Sequence, residues 1–334
     1  MGLLSTALLL EVYSQLFTRP PFPTNDFTGK TILVTGANVG LGKEATAHFV
    51  RLGAAKVIIA VRSIEKGEAA KREIETALGR PNIIEILELD LSKYSSVKNF
   101  AASLAQRYDR IDHAVMNASI ATEDYETFED NESTITVNVV STTYLILLLL
   151  PILRTSATKY QTTPVISVVS SGVHAYTTFP ERKTPSPFAT LNDPKLAVMT
   201  DRYQVSKLLQ VYAVREIAEK TAGDSPLVVL NCLNPGLAHT ALTRNARGST
   251  KVIMAVMRAC LAWTSEEGSR TLVHAVSQGP ESHGVYISGC LVENNNLDSA
   301  VTNEDGQKTQ KKVWSELSDK LEKIHPGVTK VLSN

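Results

Sequence analysis

TILVTGANVGLGKEATAHFV, residues Thr31–Val50, decides the fold. Its first five residues are β-branched or apolar and read as a strand buried on both faces, while KEATAHFV carries apolar residues at helical spacing. Between the two lie Gly36, Gly40 and Gly42. A glycine-rich turn between a first strand and its helix lets backbone amides approach a pyrophosphate, and the positive end of the helix dipole adds to the attraction. Gly36 suits the tight turn, Gly40 the close approach and Gly42 the packing of helix on strand. The spacing G-x-x-x-G-x-G differs from the commoner G-x-G-x-x-G fingerprint. Three turn glycines without a ligand are the competing explanation, so the surrounding chain has to decide.

Working outward, short β-branched runs alternate with longer helical stretches, which predicts a parallel sheet covered on both faces. The strand candidates are Thr31–Thr35, Lys56–Ala60, Ile83–Leu89, His113–Met116, Val165–Ser170, Leu227–Leu233 and Val285–Ile287. Helical spacing marks Leu41–Leu52, Ile64–Leu78, Ser92–Tyr108, Glu129–Leu153 and Asp201–Ala222. Thr264-Ser-Glu-Glu267 matches a capping box, so another helix is expected from there to about Gln278. The fold class is therefore α/β: one doubly wound domain with a seven-stranded parallel sheet and helices on both faces. Thr143–Leu153 is apolar all round, which calls for burial on both sides. One side is the sheet; the other is either a neighbouring subunit, giving a homo-oligomer, or the interior of a monomer.

With 334 residues, 43 % apolar and 20 % charged, the chain has the profile of a soluble globular protein, and one large core is within reach. Its 34 basic and 34 acidic side chains cancel, so no overall field favours nucleic acid. Cys232, Cys260 and Cys290 are widely spaced, with neither a disulfide framework nor a zinc pattern, and His48, His174 and His239 have no metal-ligand spacing. A reducing, cytoplasmic setting and no metal are expected. Gly2–Phe17 is strongly apolar, but Glu11 interrupts it and it is shorter than the ~20 residues of a spanning helix. A short helix lying on the domain or over its cleft is the first reading, membrane contact through it the second. Gly2 with Thr6 matches the myristoylation pattern formally, a match short enough to arise by chance. Arg19-Pro-Pro-Phe-Pro23 reads as an extended linker, so residues 1–28 form a leading helix and linker and 29–334 the domain.

At the end of the second strand, where an NAD enzyme commonly carries an acid for the ribose 2′-hydroxyl, stands Ala60-Val61-Arg62-Ser63. A guanidinium there grips a 2′-phosphate through charge-assisted hydrogen bonds, which favours NADP(H) over NAD(H); a solvated surface arginine is the plainer alternative. Lys43 and Lys66 are further candidates for that charge. Tyr203-Gln-Val-Ser-Lys207 puts tyrosine and lysine on one helix face. A nearby ammonium lowers a phenol's pKa from about 10 toward the working pH for proton transfer, although a lone Y-x-x-x-K is usually helix surface. Ser170-Ser171 ends a strand at the carboxyl edge, where open α/β sheets bind ligands.

TGANVGLG, LDLS (Leu89–Ser92), MNAS (Met116–Ser119), VNVVS (Val137–Ser141), VVSSG, YQVSK and NPG (Asn234–Gly236) occur in the order found in short-chain dehydrogenases/reductases, and from about Lys30 to Thr240 the chain resembles that family, whose fold is of the Rossmann type. The resemblance implies Tyr203 as proton donor in reduction, Lys207 as its pKa-lowering neighbour and ribose ligand, Ser171 as the hydroxyl on the substrate oxygen, and Asn138 as holder of a water in the proton relay. For the cofactor it implies Gly36, Asn38, Gly40, Leu41 and Gly42 at the phosphates, Arg62 and Asp90 on the adenosine side, Asn117 beside the central strand, and Pro235, Gly236 and Thr240 near the nicotinamide. Where the family's triplet reads N-A-G, this chain has Asn117-Ala118-Ser119, which fits only if the serine's φ is not strongly positive.

Residues 172–202 and 238–282 are expected to shape the substrate region. The first is rich in proline and threonine, and long irregular loops beside a catalytic edge often cover a pocket. The second offers Met254, Met257 and Trp263, which suit a lipophilic substrate or are plain core. In texture the chain resembles fungal reductases of secondary-metabolite pathways and, more distantly, retinol-dehydrogenase-like proteins. Reduction of a lipophilic ketone or aldehyde with NADPH is the leading expectation, oxidation of the matching alcohol its reverse, and a catalytically silent NADP-binding regulatory or scaffold protein the competitor from another class.

Overall fold

The computed structural model describes Gln15 and residues 18–239, 261–292, 297 and 299–333. Thr240, Met254, Met257 and, apart from Gln15, the apolar leading segment lie outside these residues. Among the described residues nine strands form: β1 (Thr31–Thr35), β2 (Lys56–Val61), β3 (Ile84–Glu88), β4 (His113–Met116), β5 (Thr127–Phe128), β6 (Asn131–Glu132), β7 (Val165–Val169), β8 (Val229–Asn234) and β9 (Tyr286–Ser288). Seven of them make one parallel sheet in the order β3-β2-β1-β4-β7-β8-β9, and β5 and β6 a separate small hairpin. The strand order reverses between β1 and β4, the position at which doubly wound sheets open a crevice at their carboxyl edge.

Alternation along the strands sorts the helices onto two faces. Ile32, Val34, Val57 and Ile59 point to one core with Ala45 and Phe49 of α1 (Gly40–Arg51), Ile74 of α2 (Ile64–Leu78) and Leu272 of α6 (Ser265–Val276). Leu33 and Ile58 point to the other, filled by α3 (Tyr94–Arg107), α4 (Thr142–Tyr160) and α5 (Met199–Thr221). Residues of this kind each contribute ~1.5–3 kcal/mol on burial. The Thr264–Glu267 capping box forms as expected and opens α6.

Two departures matter. The expected helix Glu129–Leu153 does not begin at Glu129, which turns the β5–β6 hairpin with φ +54°. Helix starts only after Glu132, whose carboxylate accepts from the amides of Thr134 and Ile135, passes through a π-helical turn at Thr136–Ser141, and then runs as α4 to Tyr160. The second departure is α7 (Glu304–Ile324), a C-terminal helix whose Val313, Trp314, Leu317 and Leu321 form a buried stripe. It lies on α5, and the tail after it reaches α4, where Arg154 donates to the Val331 carbonyl and Tyr144 Oη meets His325 Nδ1. Ser133–Tyr160 is long and apolar enough to span a membrane, yet most of that window is buried inside the fold. The chain's own tail thus supplies the second layer that Thr143–Leu153 called for. The proline-rich linker is not loose either: Phe22 packs on His48 and under Arg51, and Phe27 is buried against Phe49 and His113.

Candidate active site

Gly36, Arg62, Asn117, Ser171, Pro235 and Gly236 follow strands at the carboxyl edge of the sheet, while Tyr203 and Lys207 come from α5 and Asn138 from the π-turn. Gly36 follows β1 with φ +67°, and a Cβ on it would stand 2.9 Å from Ala118 Cα, so only glycine fits. A Cβ on Gly42 would meet Asn117 Nδ2 at 2.6 Å and the Gly36 carbonyl at 2.9 Å. Asn117 locks this corner by donating to the Thr35 and Gly36 carbonyls at 2.9 and 3.2 Å. Helix α1 starts behind Val39 with no side-chain cap and no acid in its first turn, a helix end open to an anion. Asn38 and Leu41 are half-buried on this turn, and Leu41 leans on α6 at Gly268.

Beyond the turn, Arg62 follows β2 directly, exposed and, among the described residues, in no ion pair. Lys43 is paired with Glu73 and so turned toward α2. Asp90 follows Leu89, whose amide bonds the Val61 carbonyl, and its Oδ1 accepts from the Ser92 amide and hydroxyl at 3.0 and 2.7 Å. Ser119 is not among the residues with positive φ, so the departure from N-A-G is accommodated.

On the other side of the switch point, β7 delivers the serine pair. Ser170 is buried and donates to the main-chain carbonyl of Lys207 at 3.1 Å. Ser171 is half-exposed, and its Oγ accepts the Val173 amide at 3.3 Å without donating to any described residue. Helix α5 brings in Tyr203 and Lys207, with the ammonium 5.4 Å from the phenol's ring centroid. Lys207 is 1 % exposed and donates to the Val169 carbonyl at 2.8 Å. Burial pushes it down to about 7. Burial also pushes the Tyr203 phenol above its ordinary value. The expected lowering of that pKa is therefore not supplied by the chain alone, because a lysine this deep is only partly charged near neutral pH.

Asn138 sits in the π-turn, fully buried. Its side chain is spent on structure: Oδ1 accepts the Ile120 amide at 2.9 Å, and Nδ2 donates to the Ile120 carbonyl at 2.8 Å and to Ser206 Oγ at 3.1 Å. Its main-chain carbonyl accepts Gln210 Nε2 at 2.7 Å. Ser206 and Gln210 were not foreseen as site residues. Their signal was present, since both lie three or four positions from Tyr203 or Lys207 and are polar on a helix otherwise packed with Leu208, Leu209 and Val211.

The nicotinamide-side loop follows β8. Gly236 has φ +70°, its amide donates to Asn234 Oδ1 at 3.1 Å, and Trp263 packs against it. Gln15 staples the same loop, accepting from the Leu237 amide at 3.0 Å and donating to the Leu237 and Leu261 carbonyls at 2.9 and 3.0 Å. Trp263 Nε1 donates to the Gln15 carbonyl at 3.0 Å. Of the histidines, His48 is buried against Glu266, His174 bonds the Ser171 carbonyl at 2.8 Å, and His239 pairs its amide with the Trp263 carbonyl.

A family model described as short chain dehydrogenase matches residues 30–178. The short chain dehydrogenase/reductase dmxR8 of Cryptosporiopsis sp. is 47 % identical over 323 residues, covering 95 % of this chain and 98 % of the relative. The short-chain dehydrogenase anuD of Penicillium roqueforti is 38 % identical, covering 98 % and 87 %. Among solved structures, levodione reductase superposes with a TM-score of 0.60 at 18 % identity over 78 % of this chain and 96 % of its own, and 3-ketoacyl-(acyl-carrier-protein) reductase from Brucella melitensis, complexed with NADH, with 0.58 at 20 % over 79 % and 97 %. At such identities the structures speak to the fold.

Proposed function

The chain belongs to the short-chain dehydrogenases/reductases, an oxidoreductase family, and from that premise we propose that it reduces a ketone or aldehyde of a lipophilic secondary metabolite with NADPH, or oxidises the matching alcohol with NADP. The observation that carries the NADP reading is Arg62: an exposed guanidinium, in no ion pair among the described residues, stands at the β2 edge where an NAD enzyme places an acid. The glycine turn fits the pyrophosphate for the reason already given, that side chains would fill the cradle at Gly36 and Gly42. Lys207 would hold the nicotinamide ribose, and Pro235 and Gly236 would border the ring, a role the resemblance extends to Thr240. When bound, the cofactor supplies a hydride to the carbonyl carbon.

The rest is done by side chains. Tyr203 donates its phenolic proton to the carbonyl oxygen, so that a C–H and an O–H bond form together and the C=O π bond is lost. Ser171 shares that oxygen through its hydroxyl and stabilises the charge developing there. Run backward, Tyr203 as phenolate takes the alcohol's proton; a bound oxidised nicotinamide would supply positive charge that favours the phenolate, beside a lysine that burial makes less basic. Lipophilic substrates are favoured by the exposed apolar residues Tyr176, Leu196 and Val198, all on the segment between Ser171 and α5.

The test is NADPH oxidation against a panel of lipophilic ketones and aldehydes for wild type and Tyr203→Phe. Loss of the proton donor is expected to lower turnover ~100-fold or more. Equal rates in the two proteins would discard the assignment.

A further inference from the structure

A lysine ammonium carries three N–H bonds, and one buried as deeply as Lys207 needs a partner for each. The first goes to the Val169 carbonyl at 2.8 Å and the second to Gln210 Oε1 at 3.0 Å. Gln210 is itself 3 % exposed, and its Nε2 donates to the Asn138 carbonyl at 2.7 Å. One side-chain amide therefore joins the ammonium directly to the π-turn, across the gap that the family resemblance assigns to a water on Asn138.

We propose that Gln210 is a positioning residue of the active site: its amide bridges Lys207 to the Asn138 carbonyl and, with Val169, leaves the third N–H of Lys207 as the one available to Tyr203 and the cofactor ribose. The proposal deepens the oxidoreductase reading and rests on it for its catalytic meaning. An amide suits a fixed bridge better than a relay. Water donates and accepts through one oxygen and hands a proton on; the amide donates from nitrogen and accepts on oxygen, so it holds its neighbours in place without passing a proton between them. Both its polar atoms are satisfied, which makes the bridge a built feature and not a chance contact.

No charged group among the described residues opposes or assists Lys207, so its hydrogen-bond acceptors are what remain to offset its burial. Tyr203 and Gln210 face it from the same helix and the Val169 carbonyl from β7, while Ser170 bonds only the main-chain carbonyl of Lys207 and Asn138 is reached through Gln210. Burial alone depresses its pKa. Removing an acceptor disfavours the charged form further, and a carboxylate in the same place favours it.

The experiment titrates the apoprotein, labelled with 13C at lysine Cε, by NMR between about pH 5 and pH 10, in wild type, Gln210→Leu and Gln210→Glu, with the Lys207 signal assigned by its loss in Lys207→Met. Lys207 is expected to titrate about one unit lower in Gln210→Leu and at least about one unit higher in Gln210→Glu. An unmoved titration in either folded variant overturns the proposal. Leucine is close in shape to glutamine, so that arm stands even if the buried glutamate does not fold. On a turned-over substrate, Gln210→Leu is expected to lower kcat with little change in KM, whereas a merely structural defect would leave the pH profile of kcat where it was. Should no carbonyl compound be reduced by wild type, the functional reading fails while the titration still decides the bridge.

Discussion

At the scale of the residue, Arg62 carries the proposed preference for NADP(H) over NAD(H). It follows β2 directly, two residues after Ala60, whose carbonyl accepts the Gly36 amide. A 2′-phosphate held there gains charge-assisted hydrogen bonds worth ~1.5–3 kcal/mol, about 10- to 100-fold in affinity. Arg62→Ala is therefore expected to weaken NADPH binding by about that factor and to leave NADH binding nearly unchanged, measured by the fluorescence of each dihydronicotinamide on titration with protein. Equal losses for both cofactors would show that Arg62 reads something other than the phosphate. Tyr203, Lys207, Ser171 and the glycines were legible from sequence because their chemistry restricts the residue type. Gln210 was legible only in part: its polar character three residues from Lys207 marks it, but which two atoms it joins is known only from the fold.

At the scale of the element, the boundaries that proved hard to read are those set by contacts far along the chain. Glu129 and Asn131 carry no strong strand signal, and the apolar periodicity beyond them ran smoothly back into the hairpin, so the start of the helix was placed too early. What sets the start is Glu132. Its carboxylate caps the Thr134 and Ile135 amides at 2.8 and 3.2 Å and lies 3.6 Å from Arg202 Nε, a guanidinium 1 % exposed on the residue just before Tyr203. Glu181, also buried, is a second carboxylate in the field of that arginine, and burial holds the Arg202 pKa below its ordinary value against their pull. The cluster links the turn that carries Asn138 to the helix that carries Tyr203. Glu132→Ala removes the cap and strands a buried cation, so a loss of ~3–5 kcal/mol in unfolding free energy is expected by urea titration. The double variant Glu132→Gln with Arg202→Met is expected to be more stable than the sum of its singles, since the two side chains that face each other are removed together; a double variant as unstable as that sum would refute a pairing between them.

At the scale of the whole molecule, the same helix closes the core and steadies the segment beside the catalytic edge. The strand order, the two helical layers and the capping box at Thr264 could be expected from periodicity, because burial on a parallel sheet writes itself into consecutive apolar runs. The α7 stripe at Val313, Trp314, Leu317 and Leu321 has the same periodicity, but it lies beyond the motifs of the resemblance, which end near Thr240. In the fold α7 does two things on two faces. Leu317, fully buried, packs into the core shared with α4 and α5. Glu316, its neighbour in sequence, accepts from Ser186 Oγ at 2.9 Å and from the Phe188 amide at 3.0 Å, while Lys312 donates to the Arg182 carbonyl at 3.2 Å. These contacts hold the connection between Ser171 and α5 against the body of the protein. The two roles are separable by adjacent substitutions. Leu317→Ala leaves a cavity in the core and is expected to lower global stability by ~2–5 kcal/mol, seen as a shift in the urea midpoint at constant slope. Glu316→Ala removes two hydrogen bonds at the surface of the loop, so global stability is expected to change by only ~1 kcal/mol while limited proteolysis between residues 183 and 199 accelerates severalfold. If Glu316→Ala moved the urea midpoint as far as Leu317→Ala and left the loop resistant, α7 would be a core helix alone, and the segment beside the active site would owe its order to Phe179, Phe188 and Leu191, which are buried beneath it.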